Sequence, residues 1–319
     1  MPHRLIPVVA LAAFALAAPA SAARPLVAIF YYPWYGTPQV DGAWEHWSQN
    51  GHAPPGDLYS SFYPAGGPYS SSSPDVVAVQ MAEIRAAGID EVVTSWWGRG
   101  SSTDVRLALV LREAWRQHLG VAAQIEPYPG RGDTLPGDLA YLHALGIRDV
   151  FVYEPQQLTA AQWAERRASL PAAMRYFAQT GYAGFAAAAR FDGLYTYDPV
   201  TYGGDDFARI CAAASRMHLL CAPSVGPGYQ GRRAGEDAAA KPRRAGATYD
   251  SMWQGALAAR PALVTITSFN EWGEGTQIEP AAARRGYASY DGAWGMHGAA
   301  ANDAYLARTA FWAARFHHG

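Results

Sequence analysis

The sequence predicts an α/β fold, a single (β/α)8 barrel (TIM barrel), on three observations. Short apolar runs rich in β-branched and aromatic residues recur eight times along the chain. Segments of helical pattern separate most of them, and such alternation implies parallel strands joined by crossover helices. Several runs end in Gly, Pro or Tyr beside polar residues, as barrel strands do where they carry chemistry at their carboxyl ends.

The elements follow in order. The opening "MPHRLIPVVALAAFALAAPASA" has an early basic residue, Arg4, an apolar stretch from Leu5 to Ala18, and the small-residue pattern Ala20-Ser21-Ala22. It reads as a secretory signal peptide over residues 1–22, because the apolar stretch is too short to span a bilayer and closes on cleavage chemistry. Residues 23–319 then form the barrel domain, and the expected location is secreted or periplasmic. No later apolar run is long enough to cross a membrane, so no membrane association is expected after cleavage.

The expected strands are 26–32, 90–96, 121–126, 149–153, 184–189, 193–197, 219–223 and 263–269. "PDVVAVQMAEIRAAGI" is the clearest helix, with Pro74 at its start and Gly88 at its end. "STDVRLALVLREAWRQHLG" is another, with Ser102, Thr103 or Asp104 as candidate caps and Gly120 as the stop. The fifth unit is the weakest, since "GYAGFAAAARFDGLYTY" leaves almost no room for a helix between strands five and six. "GYQGRRAGEDAAAKPRRAGATY" reads as a long, basic, mobile surface loop near the seventh strand, and its five Arg and Lys residues read as a solvated face.

Composition narrows the function. A net charge of −2 without long runs of one sign gives no footprint for nucleic acid or an anionic membrane. The 11 Trp and 19 Tyr offer flat apolar faces with polar edges, which suit sugar rings and cores alike. No Cys/His cluster has metal-ligand spacing, and no cofactor or metal is expected. Cys211 and Cys221 could bridge a helix to the next strand or remain two buried thiols. No feature calls for an oligomer, and a monomer is the expectation.

On the barrel reading, polar and aromatic residues collect at one mouth. Strand ends carry "FYYPWYG", "TSWWGRG", "QIEPYPGR", "LYTYD", "PSVGPGY" and "SFNEWGEG". Taken together they ring the mouth with Tyr, Trp and three carboxylates, Glu126, Glu271 and Glu274. Paired carboxylates beside aromatic faces are the make-up of a glycoside-hydrolase cleft. Repulsion between Glu271 and Glu274 can keep one carboxyl protonated near neutral pH, as an acid catalyst requires. A solvated acidic turn is the plain alternative for that pair, and a non-catalytic glycan-binding barrel the alternative for the whole.

The chain resembles glycoside hydrolase family 99, the endo-α-mannosidase and endo-α-mannanase family. The resemblance rests on "YYPWYGTP", the W-x-H-W at Trp44–Trp47, "FYPAGGPYSSSSP", "IEPYPGR", "FDGLYTY", "PSVGPGY" and "SFNEWGEGTQIE", in that order. It implies a retaining, endo-acting α-mannosidase whose substrate is an α-mannoside oligo- or polysaccharide. It implies Glu274 as general acid/base and Glu271 as a base on the substrate's own 2-hydroxyl, with a 1,2-anhydro sugar between the two steps. Tyr32, His46, Trp96, Glu126, Tyr128, Tyr197, Tyr229 and Asn270 are the implied substrate-binding residues. Two departures bear on specificity: Gly273 where the family often has His, and Glu154 where Asp is usual. A family-99-like glycosidase acting on another polysaccharide is the alternative within enzymes.

Overall fold

The computed structural model describes residues 24–235 and 239–319. The expected signal peptide and residues 236–238 of the basic loop lie outside the described residues. Nine parallel strands form one sheet in the order β7-β6-β5-β4-β3-β2-β1-β9-β8. They are β1 (Leu26–Tyr31), β2 (Glu91–Trp96), β3 (Gly120–Ile125), β4 (Asp149–Val152), β5 (Arg175–Gln179), β6 (Gly193–Tyr195), β7 (Leu220–Ala222), β8 (Ser224–Val225) and β9 (Leu263–Ile266). The helices are α1 (Pro38–Asp41), α2 (Pro74–Ala86), α3 (Ser102–Arg116), α4 (Arg131–Ala144), α5 (Ala160–Arg166), α6 (Ala183–Ala188), α7 (Gly204–Arg216), α8 (Ala247–Ala259) and α9 (Ala304–His318).

The ring has eight staves, because β7 and β8 are two pieces of one line broken at Pro223. Proline has no N–H to give to a ladder. The first piece therefore pairs with β6 and the second with β9, which nearly closes the barrel. The expected seventh strand, 219–223, stops at this break.

The fifth strand is a correction. Residues 184–189, expected as a strand, lie almost wholly in α6, and the strand is Arg175–Gln179 upstream. "FAAAA" is dominated by the strongest helix former, while "RYFAQ" has aromatic residues suited to a pleated wall. Moving the strand also supplies the room that the fifth unit lacked. Around α3 the cap is Ser101, whose hydroxyl accepts from Asp104 N–H, one residue before the expected candidates. Gly120 opens β3 and does not stop the helix; the chain leaves α3 through His118, whose φ of 56° is left-handed.

Side chains alternate across each strand, so each wall divides into an inner and an outer set. Phe30, Phe151, Phe177 and Tyr195 fill the barrel interior, with Phe151 and Phe177 stacked at 4.8 Å. Val92, Ile125, Val150, Val264 and Ile266 face the helices in the larger core. At the foot, Arg175 is paired to Asp149, while Glu91 Oε2 is buried with no hydrogen-bond partner. Cys211 and Cys221 form a disulfide joining α7 to β7. Asp90 is bonded to both Arg24 and His317, and thus ties the start of β1 to the end of α9.

Candidate active site

The inward set runs out of the barrel into the mouth. On β1 it passes through Ala28 and Phe30 to Tyr32, and from β6 through Tyr195 to Tyr197. On β2 the inward Ser95 donates to Glu126 Oε1 at 2.7 Å. The same alternation aims Trp97 at the mouth and turns Trp96 outward.

The loop after β9 carries the acidic pair. It folds back on itself through Ser268 N–H to Thr276 C=O at 3.0 Å and Glu279 N–H to Phe269 C=O at 2.8 Å. Glu271 is buried, and its Oε1 accepts from the Gly273 N–H at 3.0 Å. Glu274 is half-buried, and its Oε2 accepts from the Tyr197 hydroxyl at 3.2 Å and the Thr276 hydroxyl at 3.3 Å. The Tyr32 and Tyr197 hydroxyls lie 2.5 Å apart. Burial first, and then the Glu274 charge, lifts both phenols well above their usual range, so they stay neutral donors.

Glu126 is also buried, and burial raises its carboxyl to about 8 against the Ser95 hydrogen bond, with the Glu274 charge adding to the rise. It is therefore mostly protonated at neutral pH. His46 lies flat on Trp34, with ring centres 4.4 Å apart, and burial with the nearby Arg106 charge lowers it to about 4. It is a neutral imidazole at neutral pH.

Two cavities meet at Glu274. One, of about 240 Å³, is lined by Trp34, His46, Tyr59, Trp97, Glu271 and Glu274. The other, of about 390 Å³, is lined by Tyr153, Gln179, Tyr197, Tyr229 and Glu274. Aromatic walls with a few convergent polar groups fit sugar rings.

Seven of the residues singled out from sequence stand around this mouth: Tyr32, His46, Glu126, Tyr197, Tyr229, Glu271 and Glu274. Three do not face it. Trp96 is fully buried outside the barrel wall, where its indole N–H donates to Asp104 at 2.9 Å and its ring meets Tyr128 edge-on at 5.7 Å. Tyr128 belongs to the same outer packing and donates to Asp138 at 2.7 Å. Asn270 is fully buried, with its amide exchanging bonds of 2.7 and 3.0 Å with the Tyr32 backbone. It fixes the loop to β1.

Trp34, Tyr59, Trp97, Tyr153 and Gln179 line the cavities and were missed. Counting two residues at a time along β2 or β4 finds Trp97 and Tyr153; Gln179 required the correct fifth strand. Glu154 is exposed and holds Gln157 at 2.9 Å. In the basic loop, Arg243 turns inward to donate to Gly275 C=O at 2.9 Å and Gln277 C=O at 2.6 Å, so it braces the acidic loop and departs from the expected solvated face. Among the described residues, no group of His, Cys, Asp and Glu is placed to hold a metal ion.

The sequence profile described as "Glycosyl hydrolase family 99" matches residues 24–142 and 175–318. The chain belongs to glycosyl hydrolase family 99. As a family 99 protein it is a glycoside hydrolase. The unmatched stretch between the two parts carries β4 and Glu154. A glycoprotein endo-alpha-1,2-mannosidase-like protein of Danio rerio is 31% identical over 90% of this chain and 77% of its own length. The glycoprotein endo-alpha-1,2-mannosidase of Mus musculus is 31% identical over 80% of this chain and 68% of its own. In three dimensions the chain resembles the family 99 endo-alpha-mannosidase from Bacteroides thetaiotaomicron, with a TM-score of 0.81 and 28% identity over 91% of this chain and 97% of that one. A cyclic alpha-maltosyl-(1→6)-maltose hydrolase from Arthrobacter globiformis, at 11% identity and a TM-score of 0.54, shares the fold alone.

Proposed function

We propose that this chain is a retaining α-mannosidase that cuts within α-mannoside chains, with Glu274 and Glu271 as its catalytic pair. The observation that carries the reading is that Glu274 stands in the wall common to two sugar-sized cavities. A glycosidic oxygen held at Glu274 therefore has room for sugar on both sides, which is what an endo-acting enzyme needs.

In the first step Glu271 takes the proton of the substrate's 2-hydroxyl. In an α-mannoside that oxygen is axial and opposite the axial leaving group, so it attacks C1 from behind as the glycosidic C–O bond breaks. Glu274 gives its proton to the departing oxygen, and a 1,2-anhydro sugar remains. In the second step Glu274 takes a proton from water, the water oxygen attacks C1, the epoxide C1–O bond breaks, and Glu271 returns its proton to O2. Two inversions give net retention. Glu271 would then differ from the nucleophile of the usual retaining scheme. Neutral Tyr32 and Tyr197, protonated Glu126 and the Trp34–His46 stack would hold the sugars flanking the bond.

Export is part of the proposal, with residues 1–22 removed and residues 23–319 acting as a monomer outside the cytoplasm. The Cys211–Cys221 disulfide supports it, because such bonds persist in oxidising compartments. No helix among the described residues is long and apolar enough to cross a membrane.

The test is hydrolysis of a panel of α-mannans and α-manno-oligosaccharides with product analysis by mass spectrometry and anomeric NMR. Release of oligosaccharides of two or more sugars with the α configuration is expected. Release of single sugars from chain ends would overturn endo action, and binding without cleavage would favour the glycan-binding alternative.

A further inference from the structure

The chemistry above gives no task to the buried carboxyl of Glu279. Glu279 closes the loop that carries Glu271 and Glu274, and it is 7% exposed. Three neutral donors meet its oxygens. The Tyr69 hydroxyl and the Trp272 indole N–H donate to Oε2 at 2.7 and 2.8 Å, and the Gln80 amide donates to Oε1 at 2.7 Å. No arginine or lysine pairs with it among the described residues. Burial lifts the carboxyl to about 8, with the Glu83 charge adding and the three hydrogen bonds opposing.

An acid buried among neutral donors is a poor way to gain stability, since an apolar group of similar size often packs as well or better. Its connections point to another use. Gln80 lies on α2, and its own oxygen accepts from the Tyr31 hydroxyl on β1 at 2.6 Å. The Tyr69 hydroxyl accepts from the Asn270 amide at 3.2 Å. Trp272 and Asn270 are the two residues that flank Glu271 in sequence. The carboxyl thus gathers the residues on either side of Glu271 and fastens them to β1 and α2.

We propose that Glu279 is a positioning residue for catalysis: through Trp272 and the Tyr69–Asn270 pair, its carboxyl fixes where the backbone of the Glu271–Glu274 turn stands on the barrel rim. The proposal rests on the assignment of Glu271 and Glu274 given above. Misplacing a catalytic group by about 1 Å can cost about 100-fold in rate. On its outer side Glu279 lines a solvent-open cavity of about 340 Å³ with Tyr69, Gln80, Glu83 and Pro280. Water can enter there when the side chain is shortened, so the loss of the carboxyl need not unfold the barrel.

The experiment compares the parent enzyme with Glu279→Ala, Glu279→Gln and Tyr69→Phe on an unactivated α-mannan, recording kcat, KM and melting temperature. The alanine variant is expected to lose about 10- to 100-fold in kcat with KM within about twofold. The glutamine variant keeps an oxygen for the indole and the hydroxyl, with the Gln80 amide turned over to accept from the new NH2 and donate to the Tyr31 hydroxyl, and should recover most of the rate; Tyr69→Phe should fall between. An unchanged kcat per folded molecule in the alanine variant would overturn the proposal, as would a glutamine variant as impaired as alanine, which would show that the bonds from the indole and the hydroxyl do not carry the effect. Cleavage by the parent is read in the same assay, so failure of the glycosidase assignment is told apart from failure of the Glu279 role.

Discussion

The Tyr197 hydroxyl donates to the Glu274 carboxylate at 3.2 Å while lying 2.5 Å from the hydroxyl of Tyr32. The Thr276 hydroxyl donates to the same oxygen at 3.3 Å, so two neutral hydroxyls meet there. An arginine in their place would hold the carboxylate ionised through opposite charge. Hydroxyls fix its direction while leaving it able to lose and regain a proton, which suits a group that acts first as acid and then as base.

The first prediction follows from that role. Glu274→Gln should cut hydrolysis of a mannoside with a poor leaving group by roughly 10²- to 10⁴-fold. The loss should be far smaller for an activated aryl mannoside or a mannosyl fluoride, whose leaving groups need little protonation. Parallel kcat/KM measurements on the two substrates check this, and equal losses would remove Glu274 from the acid role.

Glu271 is tested by replacing the hydroxyl on which it would act. A 2-deoxy-2-fluoro mannoside with a good leaving group has no 2-hydroxyl to deprotonate, and its fluorine cannot displace the leaving group. Intact-mass measurement should show no added glycosyl unit. A labelled peptide containing Glu271 would make that residue a nucleophile and leave the glycosidase assignment standing.

Trp96 and Trp97 are neighbours in sequence with opposite expected phenotypes. Trp97→Ala should raise KM for the glycan and leave the melting temperature almost unchanged, because the ring is 37% exposed at the mouth. Trp96→Ala empties a fully buried site and should destabilise the fold by about 3–5 kcal/mol. Calorimetry and steady-state kinetics on both variants separate the two.

Glu126 should give substrate binding a pH dependence. Its carboxyl titrates near 8, so it is a hydrogen-bond donor below that pH and an acceptor-only carboxylate above it. Glycan affinity of the inactive Glu274→Gln enzyme should therefore fall as pH rises, with a midpoint somewhat below that of the parent because the Glu274 charge that adds to the rise is gone. Adding Glu126→Gln, which keeps a donor at every pH, should flatten the profile. Isothermal titration from pH 6 to 9 reads the difference, and parallel profiles would exclude Glu126 from donating to the sugar.

Glu91 makes the matching prediction for stability. Burial, with the Asp149 charge adding, raises it to about 8, so the fold favours its protonated form. The parent protein loses stability as pH rises from the unfolded carboxyl range toward 8 and then levels off. Glu91→Gln should be neutral near pH 4 and stabilising by about 2–4 kcal/mol above pH 8. Denaturant unfolding at both ends of that range checks the sign.

Much of this was legible in the sequence because the signals were local. Apolar runs marked seven of the staves, Pro74 marked the start of α2, and the motif residues at strand ends gave Tyr32, Glu126, Tyr197, Glu271 and Glu274. The misses were relations between distant residues. Trp96 and Asn270 carry polar edges that look available, yet Asp104 and the Tyr32 backbone already occupy them. Arg243 looked like one more surface cation until the carbonyls of Gly275 and Gln277 were brought to it. The fifth strand failed for a different reason: small alanines satisfy an apolar count while favouring a helix.

The two clasps on Asp90 have a practical reading. Arg24 and His317 meet on one carboxylate at the foot of the ring, so the two described ends of the chain are neighbours there. The cleft opens at the opposite end. A short linker could join these ends and turn the barrel into a continuous loop, with new ends cut into a connection at the foot. The same geometry lets a tether or fused module hang from either end without standing in front of the mouth.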